Sequence, residues 1–267
     1  MNARAFVVVC LFMPGVANAG NVTFVEWDAD PHDTLVGPLR ASFALHARAA
    51  SRWLVDGTWE APVTPRAIHL FAEQYMDATF ASLHYTFVRN GQEQTRIYHA
   101  MSGDDAPWSV KGMTPLLDYR LYVRPRRGEI WARRVDGETT SIESSPLVDD
   151  MPLDIYTASA EYKAMRSVER DIEAKLVEPQ GQAVFFISRP SCKVCESAIH
   201  YFARRYASDT RVHRIADAGS PLSERFIRDR RAFLSTVWAS LPAASGKANF
   251  ACPAAIPPAA PFLETKR

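Results

Sequence analysis

Apolar positions first recur with a helical period between Leu39 and Val55, where Ala-rich filling surrounds Leu39, Phe43 and Leu54 and Gly57 stops the run. A second helix is predicted from Thr64-Pro65, a hydroxyl N-cap followed by proline at the first helical position. Its apolar residues Ile68, Phe71, Tyr75 and Ala78 are spaced three, four and three apart, which places them on one face. The period then shortens to two. His84–Val88 and Thr95–His99 flank Asn90-Gly91, a pair suited to positive φ and a tight turn, so the segment predicts a β-hairpin. A further strand pair is expected over Tyr119–Val123 and Glu129–Val135, around Arg126-Arg127-Gly128.

The carboxyl half alternates between the two periods. Thr157–Leu176 reads as helix, Ala183–Ser188 as a buried apolar strand, Glu196–Tyr206 as helix and Arg211–Ile215 as a short strand. Ser220-Pro221 then caps a last helix running to about Ser240. Helices alternating with short strands after an antiparallel hairpin predict a single α/β sandwich over 61–240, preceded by a helical extension over 20–60. From Pro242 the chain turns Pro- and Ala-rich, with Pro253, Pro257, Pro258 and Pro261, and 241–267 is expected to be an extended or disordered tail.

The amino terminus carries a different pattern. Met1 to Arg4 is a short basic region, Ala5 to Met13 an apolar run too short to span a bilayer, and Ala17-Asn18-Ala19 an A-x-A site before Gly20. Residues 1–19 therefore read as a secretory signal peptide, with a secreted or periplasmic mature chain and no membrane attachment after cleavage. Cleavage removes Cys10 and leaves Cys192, Cys195 and Cys252, too few for a disulfide scaffold. An oxidising compartment could still close Cys192 to Cys195. The composition, 47% hydrophobic and 23% charged, is that of an ordinary globular protein. With 31 basic against 30 acidic residues there is no global attraction to nucleic acid, and any such binding must come from local patches.

Candidate chemistry is concentrated in two segments. In Ser188-Arg-Pro-Ser-Cys192-Lys-Val-Cys195 an apolar strand runs into two thiols that open an amphipathic helix, whose positive end favours thiolate. Cys195, Ile199, Phe202 and Tyr206 fall four, three and four apart, so Cys195 is expected to face the core. Taken alone, the CxxC is half of a zinc site, a redox pair or two buried cysteines. Upstream, the apolar stripe Met165, Val168, Ile172, Leu176 leads back to Glu161, a carboxylate at the head of a buried face or a first-turn residue favoured by the helix dipole.

Together, Ser159-Ala-Glu161-Tyr-Lys-Ala, the strand ending in Ile187-Ser188-Arg-Pro-Ser, and Cys192-x-x-Cys195-x-x-x-Ile199-x-x-Phe202-x-x-Arg205-Tyr206 resemble the core of the bacterial toxin-type deaminases of the cytidine deaminase-like superfamily. The resemblance covers about residues 150–216. It implies a three-layer α/β sandwich with an N-terminal helical and hairpin extension, and a zinc ion that activates water for hydrolysis of an exocyclic amine, most often of cytosine. It further implies a nucleobase, nucleoside or single-stranded nucleic acid as substrate, and an immunity protein as partner of a toxin. By the same resemblance Cys192 and Cys195 are zinc ligands and Glu161 is the general acid/base. The third ligand position holds Ser159, where the superfamily has His, Cys or Asp, and a neutral hydroxyl is a poor zinc ligand. Ser159 is equally suited to be the helix N-cap. Asp154, His200, His213 and Cys252 are the alternative donors, none at a motif position.

Two other readings stand beside this one. A catalytically inactive deaminase-fold binding module would explain Ser159. A periplasmic thioredoxin-like thiol-disulfide protein would use Cys192 and Cys195, although it calls for a later strand preceded by proline, whereas Pro221 leads into a charged helix. Basic residues cluster at Arg124, Arg126, Arg127, Arg133 and Arg134 near Tyr122 and Trp131, and again at Arg225, Arg228, Arg230 and Arg231. Such runs either track single-stranded nucleic acid or form solvated faces. Export is expected to yield a chain beginning at Gly20, which the intact mass of the exported protein measures; recovery of uncleaved Met1 outside the cytoplasm would contradict the signal-peptide reading.

Overall fold

A computed structural model describes residues 20–56, 64–108, 118–135, 142 and 157–240. The signal peptide, the Pro/Ala tail, Asp154 and Cys252 lie outside the described residues. Six strands form one mixed sheet: β1 (Asn21–Trp27), β2 (Phe80–Arg89), β3 (Gln92–Met101), β4 (Glu129–Trp131), β5 (Gly181–Ile187) and β6 (Ala207–Ile215). Their spatial order is β1-β6-β5-β2-β3-β4. β2 is antiparallel to both of its neighbours, β3 and β5, while β5–β6, β6–β1 and β3–β4 are parallel pairs. Five helices complete the described part: α1 (Val36–Asp56), α2 (Pro65–Asp77), α3 (Ala160–Glu173), α4 (Lys193–Tyr206) and α5 (Pro221–Ser240).

Alternation along the central strands divides these helices into two layers. Ala81, Leu83, Tyr85 and Phe87 of β2, with Ala183, Phe185 and Ile187 of β5, pack against α3 and α4. Phe80 and Phe186, of opposite parity, join a second core with α1, α2 and α5. The result is a mixed α/β fold with helices on both sheet faces. The hairpin turns at Asn90 and Gly91, φ 53° and 74°, where the Gly side-chain-free backbone and the tolerant Asn accommodate the left-handed region. Thr64 caps α2 by accepting from Ala67 N, with Pro65 first in the helix.

Two expectations change. The 20–60 segment is not a purely helical extension: Asn21–Trp27 adds an edge strand parallel to β6, and α1 packs on the same sheet. Tyr119–Val123 and Glu129–Val135 do not form a strand pair. Asp118 accepts from Arg120 N and folds Tyr119–Leu121 into a 3-10 turn, and only Glu129–Trp131 is extended, pairing with β3. No helix among the described residues is long and apolar enough to cross a membrane.

Gly181 shows how closely β5 meets the β2 side. Its amide donates to the Tyr85 hydroxyl (2.9 Å), which donates to the Tyr206 carbonyl (2.7 Å), tying β5, β2 and the end of α4 together. A Cβ on Gly181 would lie 2.5 Å from the Thr86 carbonyl oxygen and 2.8 Å from the Tyr85 ring, whereas one on Gly37 would meet nothing within 4 Å. Gly181→Ala is therefore expected to lower unfolding free energy by about 1–3 kcal/mol, and Gly37→Ala to leave it unchanged or raise it by up to about 1 kcal/mol. Urea denaturation of both variants checks this, and equal effects would contradict the packing described.

Candidate functional site

Two helix N-termini converge at one end of the inner strands β5, β2 and β3. β5 ends at Ile187, and the Ser188 amide and hydroxyl are fixed to the start of β2 through the Phe80 carbonyl (3.0 Å) and amide (2.8 Å). This anchor delivers the chain into α4 at Cys192. On the neighbouring track, Gly103 N donates to the Ala158 carbonyl (2.9 Å) just after β3 and positions the entry to α3. α3 and α4 pack against the same sheet face through Met165, Val168, Ile199 and Phe202.

Each helix is capped by a residue of the candidate site. Ser159 Oγ accepts from Tyr162 N (3.2 Å), and Cys192 Sγ accepts from Cys195 N (3.2 Å). The Ser159 hydroxyl also interacts with the Cys195 thiol, and the Glu161 carboxyl lies within electrostatic reach of both cysteines. The structure thus brings together all four residues singled out from the motif, Ser159, Glu161, Cys192 and Cys195. Cys195 is buried with Ile199, Phe202 and Tyr206, as the spacing predicts, while Cys192 is exposed.

Glu161 is not a solvated first-turn residue: it is 4% exposed. Burial pushes its carboxyl up to about 7, the negative charge on Cys192 adds to the rise, and its own amide and the Ser191 hydroxyl oppose it. The Ser191 hydroxyl is itself buried and completes no hydrogen bond of good geometry. Ser191 was legible as the residue before the first thiol, but nothing in the sequence pointed its side chain at Glu161.

The thiols are both free, with Sγ atoms 2.7 Å apart. The hydrogen bond between them pulls Cys192 down to about 6, helped by the amides at the start of α4 and opposed by partial burial. The same bond and burial drive Cys195 upward, so Cys192 is the thiolate and Cys195 keeps its proton. Among the described residues no group of three or more His, Cys, Asp or Glu is placed to hold a metal ion. Of the proposed substitutes, the two among the described residues, His200 and His213, do not fill the gap. His200 is exposed on α4 with its ring 5.7 Å from Phe24, and His213 accepts from Trp27 Nε1 (3.0 Å) and stacks on Phe186, on the opposite sheet face from Cys195.

The two basic clusters diverge. Arg230 is buried, its guanidinium over Phe226 (4.8 Å) and donating to carbonyls at the end of α2, including that of Met76 (3.1 Å). Arg225 pairs with Asp33 and Arg228 with Glu224. Arg225 and Arg230 are thus joints between elements, whereas Arg228 and Arg231 stay exposed on α5. Arg124, Arg126 and Arg127 remain exposed. Comparison with protein-family models, curated proteins and solved structures finds no match.

The two shifts have opposite linkage signs. Cys192 is depressed in the folded chain, so its contribution is present above the unfolded thiol value and is lost as pH falls through about 6. Glu161 is raised from 4.5 to about 7, so the folded state binds the extra proton and stability falls as pH rises through that interval. Glu161→Gln is expected to gain stability over the parent chain between pH 5 and pH 8, by on the order of 3 kcal/mol. Urea midpoints of both proteins across that range measure the gain, and a pH-independent difference would contradict the buried, unneutralised carboxyl.

Proposed function

We propose that the chain is an exported deaminase-fold protein whose Glu161, Cys192 and Cys195 form a zinc-dependent site for hydrolysis of an exocyclic amine on a nucleobase, cytosine first. The observation that carries this reading is the buried Glu161 carboxyl, raised to about 7 and lying beside two thiols that open the adjacent helix. Two motif helices on one face of a mixed sheet support the deaminase-like sandwich. In chemical terms, Cys192 and Cys195 are donors suited to zinc, but the third position offers only the weak Ser159 hydroxyl, so among the described residues the ligand set is incomplete. When bound, zinc would lower the pKa of water and supply a nucleophile at neutral pH.

The chain's own residues supply the rest. A carboxyl group poised near pH 7 takes a proton from the attacking water and returns it to the departing nitrogen, so one water is consumed, the C–N bond breaks, a carbonyl forms and ammonia leaves. Burial keeps Glu161 in place and limits exchange of its proton with bulk water. Ser159 and Cys192, through their capping bonds, hold the two helix ends that carry the reacting groups.

The thiols themselves favour a second reading. An exposed, low-pKa Cys192 beside a buried, protonated Cys195 is the arrangement of a dithiol that reduces disulfides: Cys192 thiolate attacks, Cys195 attacks the mixed disulfide, and Glu161 accepts the Cys195 proton. Against a thioredoxin-like form of this reading, Pro221 opens the 20-residue helix α5 and not a strand.

Zinc content and nucleobase deamination of the purified mature chain test the first reading. About one zinc per chain is expected, with Glu161→Gln keeping the metal and losing activity by about 100-fold or more, and Cys195→Ala losing both. Ser159→His is expected to raise zinc affinity and activity. A metal-free chain that reduces a disulfide substrate, and whose zinc content is the same in Cys195→Ala and Ser159→His, would replace the deaminase reading with the dithiol one.

A further inference from the structure

On the sheet face away from the thiols, α1 and the segment 122–129 border a half-open cleft of about 270 Å³, just below the usual size of a site for a drug-sized ligand and enough for a small anionic group. Five of its ten lining residues are arginines: Arg40, Arg48 and Arg52 from α1, Arg124 and Arg126 from the facing segment. Arg40, Ala44, Arg48 and Arg52 recur every four residues, which puts them along one helix stripe where like charges repel. The alanines, Ala41 and Ala44, leave room between the cations, and Tyr122 contributes a half-buried ring.

Little on the protein answers this charge. Arg40 is committed to Asp229 (2.6 Å) and Asp33 (2.9 Å), and Arg48 lies 5.7 Å over the Phe233 ring. Arg52, Arg124 and Arg126 have no carboxylate ion-pair partner among the described residues. The one acid in the lining, Glu129, accepts from the Arg126 amide (3.0 Å) and sits 3.9 Å from His99 Nε2. His99 is 1% exposed with neither ring nitrogen hydrogen-bonded, and the neighbouring His46 Nε2 and Ser82 Oγ are likewise buried without partners. Burial holds both imidazoles at about 4 and so neutral, leaving the guanidiniums as the source of positive charge.

We propose that this cavity binds a phosphate-bearing ligand, its oxygens taken by the guanidiniums of Arg48, Arg52, Arg124 and Arg126 and the group that carries it resting on Tyr122. Planar guanidiniums on two facing walls match phosphate oxygens in pairs, and a phosphate monoester brings close to two negative charges into a site that otherwise repels itself. The site lies in the other helix layer from Glu161 and the thiols, so it does not depend on what those residues do.

Calorimetric titration of the mature chain with a nucleoside monophosphate, pyrophosphate and a short single-stranded oligonucleotide tests the proposal. Binding is expected to weaken about tenfold or more in the opposed-wall variant Arg48→Gln/Arg124→Gln, and to be unchanged in Arg211→Gln, an exposed control on β6. If the double variant fails to fold, the exposed single substitutions Arg52→Gln and Arg126→Gln carry the same test. Monophosphate binding identifies a small phosphorylated ligand. Oligonucleotide binding alone, falling steeply between about 50 and 200 mM salt, identifies a nucleic-acid backbone as the phosphate source. No binding of any of the three probes, or binding equal in the parent and the cavity variants, overturns the site.

Discussion

Helix α3 buries its first ten residues, Ala160 to Glu169, and five of them are polar or charged: Glu161, Lys163, Arg166, Ser167 and Glu169. Taking such groups out of water is costly unless each finds a partner, and the structure around the helix is arranged to supply them. Lys163 Nζ donates to the Met101 and Gly103 carbonyls and to Asp105, which fixes the exit of β3 against the helix. Arg166 and the Tyr206 hydroxyl both donate to Glu169, which links α3 to the end of α4. Among these buried ionisable groups Glu161 alone has no opposite charge beside it. Glu169 accepts from Arg166 and Tyr206, whereas Glu161 has no such donor from a cation, and burial therefore raises its carboxyl to about 7.

The same economy of partners governs the thiols. Cys192 stands at a helix start, where amides point at its sulfur, and Cys195 is turned into the core one helical turn later. The hydrogen bond between the two sulfurs, with the amides at the start of α4, makes Cys192 acidic, and the same bond and burial make Cys195 reluctant to ionise. Ser159 completes the end of α3 by capping it, and that bond is a structural reason for a hydroxyl at this position whatever else it does. The candidate site is therefore built from two capped helix ends and one buried acid, with the strand ends of β2, β3 and β5 as its foundation.

Much of this frame follows from local rules. Asn90-Gly91 made the hairpin legible because few residue pairs accept positive φ twice, and Thr64-Pro65 marked the start of α2 by cap chemistry alone. The stripe Cys195, Ile199, Phe202, Tyr206 reported which way α4 faces. β1 was missed although Asn21-Val-Thr-Phe24 alternates polar with apolar and exposed with half-buried: Val25 breaks the period, and an edge strand of seven residues has no fully buried position to mark it. Tyr119–Val123 misled in the other direction. Its aromatic and β-branched residues suit a strand, but the Asp118 side chain offers the backbone a tighter bond.

The sequence by itself determined the elements that local periodicity and capping control, and it put Ser159, Glu161, Cys192 and Cys195 near two helix starts. Only the tertiary structure decided that Glu161 is buried without a cation and that His213 faces away from the thiols. It also decided that Arg230 is a core joint while Arg48, Arg52, Arg124 and Arg126 share a cavity. The physical reason is that a residue's charge state depends on what lies across space from it. Those neighbours come from strands and helices tens of residues away, which no spacing along the chain records.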